Sequence, residues 1–170
     1  MIKAMKKLLS LFAIICVLVC SGCSVTLNAP MVTMHSSLVG YKYVYINHTK
    51  EKVSTLGVSS AYTNYAQSAL LTQSVNPADV ISGILIKEGY VILHQYDPTL
   101  ADSTLIVNYG ESGKRDVGLG YTLEVTIQFV SAKTNKLVCS CTAEGIGSTE
   151  AEDIRNAITR ALSSVFDSSN

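Results

Sequence analysis

The sequence has few charged residues and no cluster of basic ones. Its 13 Lys and Arg residues balance 13 Asp and Glu residues, and charged residues make up only 15% of the chain. Three of the lysines lie in the first 22 residues, so removal of that segment leaves 10 basic against 13 acidic residues, a net charge of −3. Nucleic-acid binding needs clustered Lys and Arg side chains that neutralise phosphates. The composition therefore argues against a nucleic-acid partner.

Catalytic and metal-binding signatures are missing as well. The chain contains neither a GxSxG nor an HExxH sequence, which mark nucleophilic serines and zinc-binding helices. The three histidines, His35, His48 and His94, do not have the spacing of metal ligands. The sequence thus predicts a protein that is not an enzyme and that carries neither a cofactor nor a metal ion.

The longest apolar run is too short for a permanent membrane span. Leu8–Val19 comprises 12 residues, whereas a spanning helix needs about 20. The run follows the basic residues Lys3, Lys6 and Lys7, an arrangement typical of an export signal. We therefore expect residues 1–22 to be a signal peptide. An ordinary secretory signal and an uncleaved anchor are the alternatives.

The end of this segment resembles the bacterial lipobox. Ser21 and Gly22 are small residues directly before Cys23, although Cys20 stands where the lipobox usually has Leu. The resemblance implies cleavage between Gly22 and Cys23, a diacylglycerol on the thiol of Cys23, and a further acyl chain, such as palmitate, on its freed amine. Several acyl chains hold a protein firmly at a bilayer, while one chain binds reversibly. The covalent lipid at Cys23 would thus make a membrane the first partner.

The residue after the cysteine bears on the destination of the lipoprotein. In enteric-type bacteria an Asp at this position resembles a signal for retention in the inner membrane, and this chain has Ser24 instead. By that analogy we expect a lipid-anchored protein of the outer membrane that faces the periplasm.

Downstream of Cys23 the sequence divides into four segments. Residues 23–40 are predicted to be the lipidated amino terminus and a flexible tether, because they are small and polar and have no sustained period. Residues 41–166 carry the pattern of an α+β domain, and 167–170 form a polar tail. Within the domain, 47–75 is expected to be an irregular insert that is either functional or mobile, or that hides a short strand near Val53–Val58.

Hydrophobic periodicity predicts the order β–α–β–β–β–β–α. The helix over 77–88 has Asn76 as its cap, Pro77 at its first position and Gly89 after its end. Thr149 and Glu152 have the capping-box spacing that opens the last helix. The five expected strands are 41–46, 90–94, 104–109, 121–129 and 137–143. Two helices, each with one apolar stripe, would cover one face of a mixed sheet of about five strands, which makes a two-layer α+β sandwich.

This order resembles small Gram-negative envelope lipoproteins of unknown function, including the YajG type and related periplasmic α+β lipoproteins. The segments that carry the resemblance are CSGC, NPADVISGILIKEGY, NYGESGKRDVGLGYTLEVTIQFVSA and TEAEDIRNAITRAL. The family supplies no established reaction, so the resemblance implies no catalytic residues.

The glycine-rich segment 110–120 has two interpretations. GESGKR lacks the GxxxxGK[ST] spacing of a phosphate-binding loop and precedes a predicted strand, so we interpret the segment as a hairpin turn. Lys114 and Arg115 at the tip are either solvated or available to an acidic partner. On the last predicted strand, Cys139 and Cys141 point to one face, and we expect them to be buried thiols and not a disulfide.

Tyrosines offer a candidate ligand-binding surface. Tyr41, Tyr43 and Tyr45 alternate along the first predicted strand, and Tyr62 and Tyr65 lie in the insert. They either cover a sheet face or form a stacking surface for a glycan or peptide. The favoured hypothesis is a membrane-anchored periplasmic lipoprotein that acts as a non-enzymatic adaptor or binding module for an envelope protein partner. The alternative is glycan or cell-wall ligand binding through the tyrosines.

Overall fold

The computed structural model describes residues 25–47, 75–118 and 120–167. In this part of the chain, one mixed sheet of six strands packs against two α helices. The strands are β1 (Met31–Met34), β2 (Tyr43–Ile46), β3 (Val91–Leu93), β4 (Thr104–Asp116), β5 (Tyr121–Ser131) and β6 (Leu137–Gly145), and the helices are α1 (Pro77–Lys87) and α2 (Glu150–Phe166). A short 3₁₀ helix, Pro98–Ser103, leads into β4.

The sheet has the order β1-β6-β5-β4-β2-β3. Strand β2 runs parallel to both β3 and β4, while β4, β5, β6 and β1 form antiparallel pairs. Helix α1 is the crossover between β2 and its parallel neighbour β3, as parallel pairing requires. The predicted α+β class is confirmed, whereas the expected number of about five strands is one too few.

Helix α1 forms where local signals specify it. The side chain of Asn76 accepts a hydrogen bond of 3.1 Å from the amide of Ala78, and Pro77 and Asp79 occupy the first turn. Gly89 follows the helix with φ +90°, a conformation that glycine adopts without strain. The apolar side chains Ala78, Ile81 and Leu85 are buried against the sheet. The helix ends one residue earlier than the sequence predicts.

The core lies between the sheet and the helices. Strand β5 alternates along its central part, because Leu123, Val125, Ile127 and Phe129 are buried while Gln128 on the other face is exposed. The alternation does not hold at the start of the strand, because Tyr121 is 37% exposed and Thr122 is buried. Helix α2 contributes its stripe of apolar side chains to the same core. The buried members from these two elements are Leu123, Val125, Ile127, Phe129, Ala157, Ile158, Ala161, Leu162 and Val165.

The missed strand is β1. The prediction of a flexible tether over 23–40 is wrong for Met31–Met34, because these residues pair antiparallel with β6 at one edge of the sheet. Only four residues long and mostly exposed, β1 has no buried alternation that would reveal it. Edge strands are often short in this way.

The hairpin between β4 and β5 also differs from the prediction. Strand β4 continues to Asp116, so most of segment 110–120 is strand and not turn. A register irregularity between Glu111 and Gly113 accommodates the glycine-rich sequence as a bulge. The actual turn is closed by a 2.9 Å hydrogen bond from the amide of Val117 to the carbonyl of Gly120. Local glycine content therefore indicated a turn several residues too early.

Candidate functional site

Several of the predicted site residues lie outside the described residues. These are Gly22 and Cys23 of the lipobox and Tyr62 and Tyr65 of the insert, since residues 1–24 and 48–74 are not described. The lipidation site, the signal cleavage site, the insert itself and the short strand considered near Val53–Val58 all remain predictions from the sequence.

Only two of the three tyrosines predicted for the first strand share a face of the sheet. Tyr43 and Tyr45 lie half-buried on the face of the sheet away from the helices, where the ring of Tyr45 is 6.1 Å from that of Tyr96. Strand β2 begins only at Tyr43, and Tyr41, which precedes it, packs against the buried core. The expectation of three aligned tyrosines was wrong for Tyr41, because its backbone is not part of the strand.

Lys114 and Arg115 do not form the tip of a turn. Both lie in β4, where successive side chains point to opposite faces. The ammonium of Lys114 is 3.6 Å from Glu111 and 3.8 Å from Glu150, and it lies 4.8 Å from the ring centroid of Tyr121. Arg115 is paired within the fold to Glu144. The guanidinium of Arg115 is therefore engaged within the fold, and its role as a contact for an acidic partner stays a prediction from the sequence.

The pairing of Arg115 with Glu144 belongs to a cluster that we name the amino-terminal clamp, formed by Asn28, Arg115, Glu144 and Arg160. Glu144 lies on β6, is only 4% exposed, and accepts hydrogen bonds from Nε and Nη2 of Arg115 at 2.7 and 2.8 Å. The backbone amide of Asn28 and its Nδ2 donate to the same carboxylate at 2.8 and 2.9 Å. The carboxylate thus receives four hydrogen bonds, and both of its oxygens are used.

The two arginines extend the clamp to the backbone of the amino-terminal segment. Nη2 of Arg115 donates to the carbonyl of Thr26 at 3.1 Å, and Nη2 of Arg160 donates to the carbonyl of Asn28 at 2.8 Å. Nη1 of Arg160 donates to the backbone carbonyl of Glu144. Helix α2, strand β4 and strand β6 therefore hold a segment that has no secondary structure of its own. Planar guanidinium groups suit such multiple contacts.

Electrostatics within the clamp favour the ionised carboxylate. The hydrogen bonds from Arg115 lower the pKa of Glu144 to about 2, with a further contribution from Asn28, although burial acts in the opposite direction. Reciprocally, the hydrogen bond to Glu144 raises the pKa of Arg115. The carboxylate of Glu144 is consequently ionised at neutral pH.

We expect Glu144→Gln to remove part of the pH dependence of stability. Between pH 4.5 and about 2 the native carboxylate stays ionised while the unfolded chain takes up a proton, so the free energy of unfolding falls as the pH falls. The stabilisation is fully present above pH 4.5. Urea denaturation of both proteins across this range should therefore show a difference that is largest near neutrality and shrinks as the pH approaches the native pKa.

The matched control for this measurement is Glu111→Gln. Glu111 forms only an exposed ion pair with Lys114, and such pairs contribute little to stability. The control should follow the wild-type profile. A difference between wild type and Glu144→Gln that stays constant from neutral to strongly acidic pH would contradict the proposed ionisation of the clamp.

Sequence reasoning missed the clamp because its parts are distant in the chain. Asn28 and Glu144 are 116 residues apart, and no local pattern connects them. One weak signal existed: Glu144 interrupts a strand whose other members are small, apolar or uncharged. A carboxylate at such a position needs a partner when it is buried.

The two cysteines of β6 are free thiols buried in the core. Cys139 and Cys141 are both fully buried next to the helical layer, as the alternation predicts. Burial raises the pKa of Cys139 to about 11 and that of Cys141 to about 12. Since the thiolate is the reactive form, these side chains act as small apolar groups.

A shallow groove lies at the end of the domain where β2 begins. It has a volume of about 440 Å³ and is lined mainly by Leu38, Tyr41, Glu88, Tyr90 and Phe166. The rings of Tyr90 and Phe166 are 6.1 Å apart across it. Its lining also includes the hydroxyl of Ser37, which accepts a hydrogen bond of 3.1 Å from the amide of Val39.

Within residues 25–47, 75–118 and 120–167, no three His, Cys, Asp or Glu side chains lie close enough together to bind a metal ion. In the same part of the chain, no helix has the length and apolar character needed to cross a bilayer.

Comparison with known proteins gives structural neighbours only. No family model matches the chain, and no curated protein matches it. The fold is similar to that of a PelC dodecamer from Paraburkholderia phytofirmans, with a TM-score of 0.44 and 14% identity over 79% of this chain and 96% of that one. A single-residue variant of the same protein gives a TM-score of 0.46 and 14% identity over 81% and 96%. The resemblance to YajG-type lipoproteins thus stays a prediction.

Proposed function

We propose that this chain is an envelope lipoprotein, anchored through acyl chains on Cys23 in the periplasmic leaflet of the outer membrane, and that its domain is a non-enzymatic binding module. The lipobox-like sequence at 20–23 supports the anchor. The amino-terminal clamp is the observation that carries the proposal, because it fastens the segment next to the acylated residue to the domain.

The clamp limits the distance between Cys23 and the folded domain. Thr26 is held by Arg115, and it is the third residue after Cys23. Since an extended chain advances at most about 3.3–3.6 Å per residue, Cys23 lies within about 11 Å of Thr26. A free tether over the whole of 23–40 would let the domain diffuse several times farther from the bilayer. The clamp instead keeps one end of the domain next to the membrane and presents the rest to the periplasm.

The role of the domain as a binding module is supported by how its polar groups are used. In the described residues, the charged side chains of the clamp bind the amino-terminal segment of the same chain. The buried thiols are protonated and are not available as nucleophiles. The face of the sheet away from the helices carries half-buried Tyr43 and Tyr45. We propose that the exposed surfaces bind a protein partner of the cell envelope.

Replacement of Cys23 by Ala tests the anchor. We expect the Cys23→Ala protein to accumulate as an unlipidated precursor that keeps residues 1–22, because the thiol that accepts the diacylglycerol is gone. Membrane fractionation and intact mass measure the outcome. Cys16→Ala, within the apolar run of the signal, is the matched control and should mature normally. If Cys23→Ala matured to the wild-type mass, the proposed anchor would be wrong.

Glycan or cell-wall binding is the second candidate, and the contact between Tyr45 and Tyr96 favours it. The two rings are tilted by 56° at 6.1 Å, and Tyr96 is 39% exposed, so aromatic surface is available for stacking. A pull-down with isolated sacculi separates the candidates. Retention that is lost in Tyr45→Ala and Tyr96→Ala would support glycan binding over a protein partner.

A further inference from the structure

The outer face of helix α1 is exposed along its length. Asp79, Gly83, Ile86 and Lys87 are its exposed residues and lie opposite the buried side chains of the helix. Ile86 is 59% exposed. Isolated apolar side chains are common on protein surfaces, so Ile86 alone indicates no partner. The residues around Ile86 distinguish this surface from an ordinary one.

Gly83 lies in the interior of α1, where glycine lowers the stability of a helix relative to alanine. Packing within the domain does not require the missing side chain, because a Cβ on Gly83 would meet no atom within 4 Å among the described residues. The distance between two packed helices depends on the side chains at their contact. Gly83 therefore leaves a notch in the outer face of α1 that allows close approach of a second helix.

Two opposite charges flank this notch at equal distances. Asp79 lies four residues before Gly83 and Lys87 four residues after it, about 6 Å to either side along the helix axis. The three residues thus form one i±4 ridge of the helix. Both charges complement the dipole of α1. Neither side chain has an ion-pair partner within 25–47, 75–118 and 120–167.

A second copy of α1 complements this face by symmetry. When a two-fold axis passes between the Gly83 residues of two copies, the helices run antiparallel and Asp79 of each copy faces Lys87 of the other. Both ion pairs form at once, and the positive end of each helix dipole lies beside the negative end of the other. Alignment of i±4 ridges, at a crossing angle of about 50°, is also the commonest class of helix packing. Ile86 lies beside the ridge, where the partner helix shields it from water.

We propose that the outer face of α1 binds a second copy of this chain, through an antiparallel contact of α1 with α1 that is centred on Gly83. The contact needs only two folded domains, so it goes beyond the proposed function and does not depend on acyl chains at Cys23. One helix of 11 residues per copy gives a small interface, of the class found in weak and transient complexes. The face of the sheet with Tyr43 and Tyr45 points away from the contact and stays accessible to another protein.

Disulfide formation at the centre of the contact tests whether it exists. Gly83→Cys places a thiol at the two-fold axis, and the open space around Gly83 means that the variant should fold. If the helix axes are about 9 Å apart, the facing Cα atoms are about 4.4 Å apart, a distance that a disulfide bridges. Cells that produce the full chain are oxidised with copper phenanthroline and analysed by non-reducing electrophoresis. We expect Gly83→Cys to form a dimer that a reducing agent separates.

Gln128→Cys is the matched control for this crosslink, because Gln128 is exposed on the face of the sheet away from the helices. It measures the crosslinking that random collision produces. The wild-type chain measures the contribution of the native cysteines, of which Cys139 and Cys141 are buried. We expect no dimer from either protein.

Charge reversal tests the antiparallel register. In the Gly83→Cys background, Asp79→Lys sets two lysines against each other at both ends of the contact, and Lys87→Asp sets two aspartates against each other there. Each variant alone should lose the dimer, because like charges oppose association. When the two variants are produced together, with tags of different mass, opposite charges face each other at both ends and the mixed dimer should reappear. Lys136→Asp, an exposed change in the turn between β5 and β6, is the matched control and should keep the dimer.

Three results would overturn the inference. Equal crosslinking of Gly83→Cys and Gln128→Cys would mean that the copies only collide. A dimer that survives both charge reversals, or a mixed pair that does not recover it, would exclude the antiparallel register. The mass of the amino-terminal peptide is read from the same samples: a dimer of unacylated chains refutes the proposed anchor and leaves this contact standing, whereas acylated chains without a dimer refute the contact alone.

Discussion

Replacing Ile127 by Asp is expected to abolish folding of the domain. Ile127 is fully buried in the middle of β5, between Tyr109 on β4 and Cys141 on β6. An aspartate there would lose its hydration without gaining a partner, which costs several kcal/mol, and a domain of this size has only about 5–15 kcal/mol of stability. Circular dichroism of the purified protein should show the loss of native secondary structure.

The adjacent residue supplies the control for this change. Gln128→Asp places the same side chain one position along β5, on the exposed face of the sheet. It should alter the free energy of unfolding by less than about 0.5 kcal/mol, as surface substitutions usually do. A folded Ile127→Asp protein with the wild-type denaturation midpoint would mean that the assigned buried face of β5 is wrong.

Replacing Gly145 by Ala is expected to destabilise the domain by about 3 kcal/mol, at the upper end of what overpacking costs. A Cβ at this position would overlap the carbonyl oxygen of Asp153 and lie 2.5 Å from the amide nitrogen of Ala157. Both atoms belong to the backbone of α2, which cannot rotate away as a side chain would. Helix α2 would have to move off the sheet, and urea denaturation measures the loss.

Gly110→Ala is the matched control, because a Cβ on Gly110 meets no atom within 4 Å. Gly110 and Gly145 both lie in strands, so the intrinsic effect of replacing glycine in a strand is shared. The difference between the two variants isolates the contact with α2. Equal denaturation midpoints for the two proteins would contradict the close packing of α2 on β6.

Local sequence signals predicted the helices and β5 well. Asn76 and Thr149 cap α1 and α2, with Thr149 accepting from the amide of Glu152 as the spacing requires. A capping hydrogen bond joins residues within one turn of a helix, and the alternation of a strand relates residues two positions apart. Both signals can therefore be recognised in a short stretch of one sequence. The resulting α+β class follows from the need of each helix to bury its one apolar stripe.

Features that depend on distant residues were not predictable in this way. Strand β1 exists because Val32 and its neighbours pair with β6, far later in the chain. Likewise, the clamp joins Asn28 to Glu144 through side chains whose identities, taken singly, indicate only polarity. In both cases the stabilising contacts are non-local, and the local sequence is compatible with a free tether. The opposite case occurs in β4, where a local signal was misleading: the glycines predicted a turn, but they lie in a strand that contains a bulge.

Mass spectrometry of the amino-terminal peptide of the natural protein, purified from membranes, tests the central claim most directly. If the domain is held at a bilayer by lipid next to the clamp, the first residue of the mature chain is Cys23 and it carries a diacylglycerol. An amino terminus at any other residue, or a Cys23 with a free thiol in protein recovered from the soluble fraction, would contradict the account.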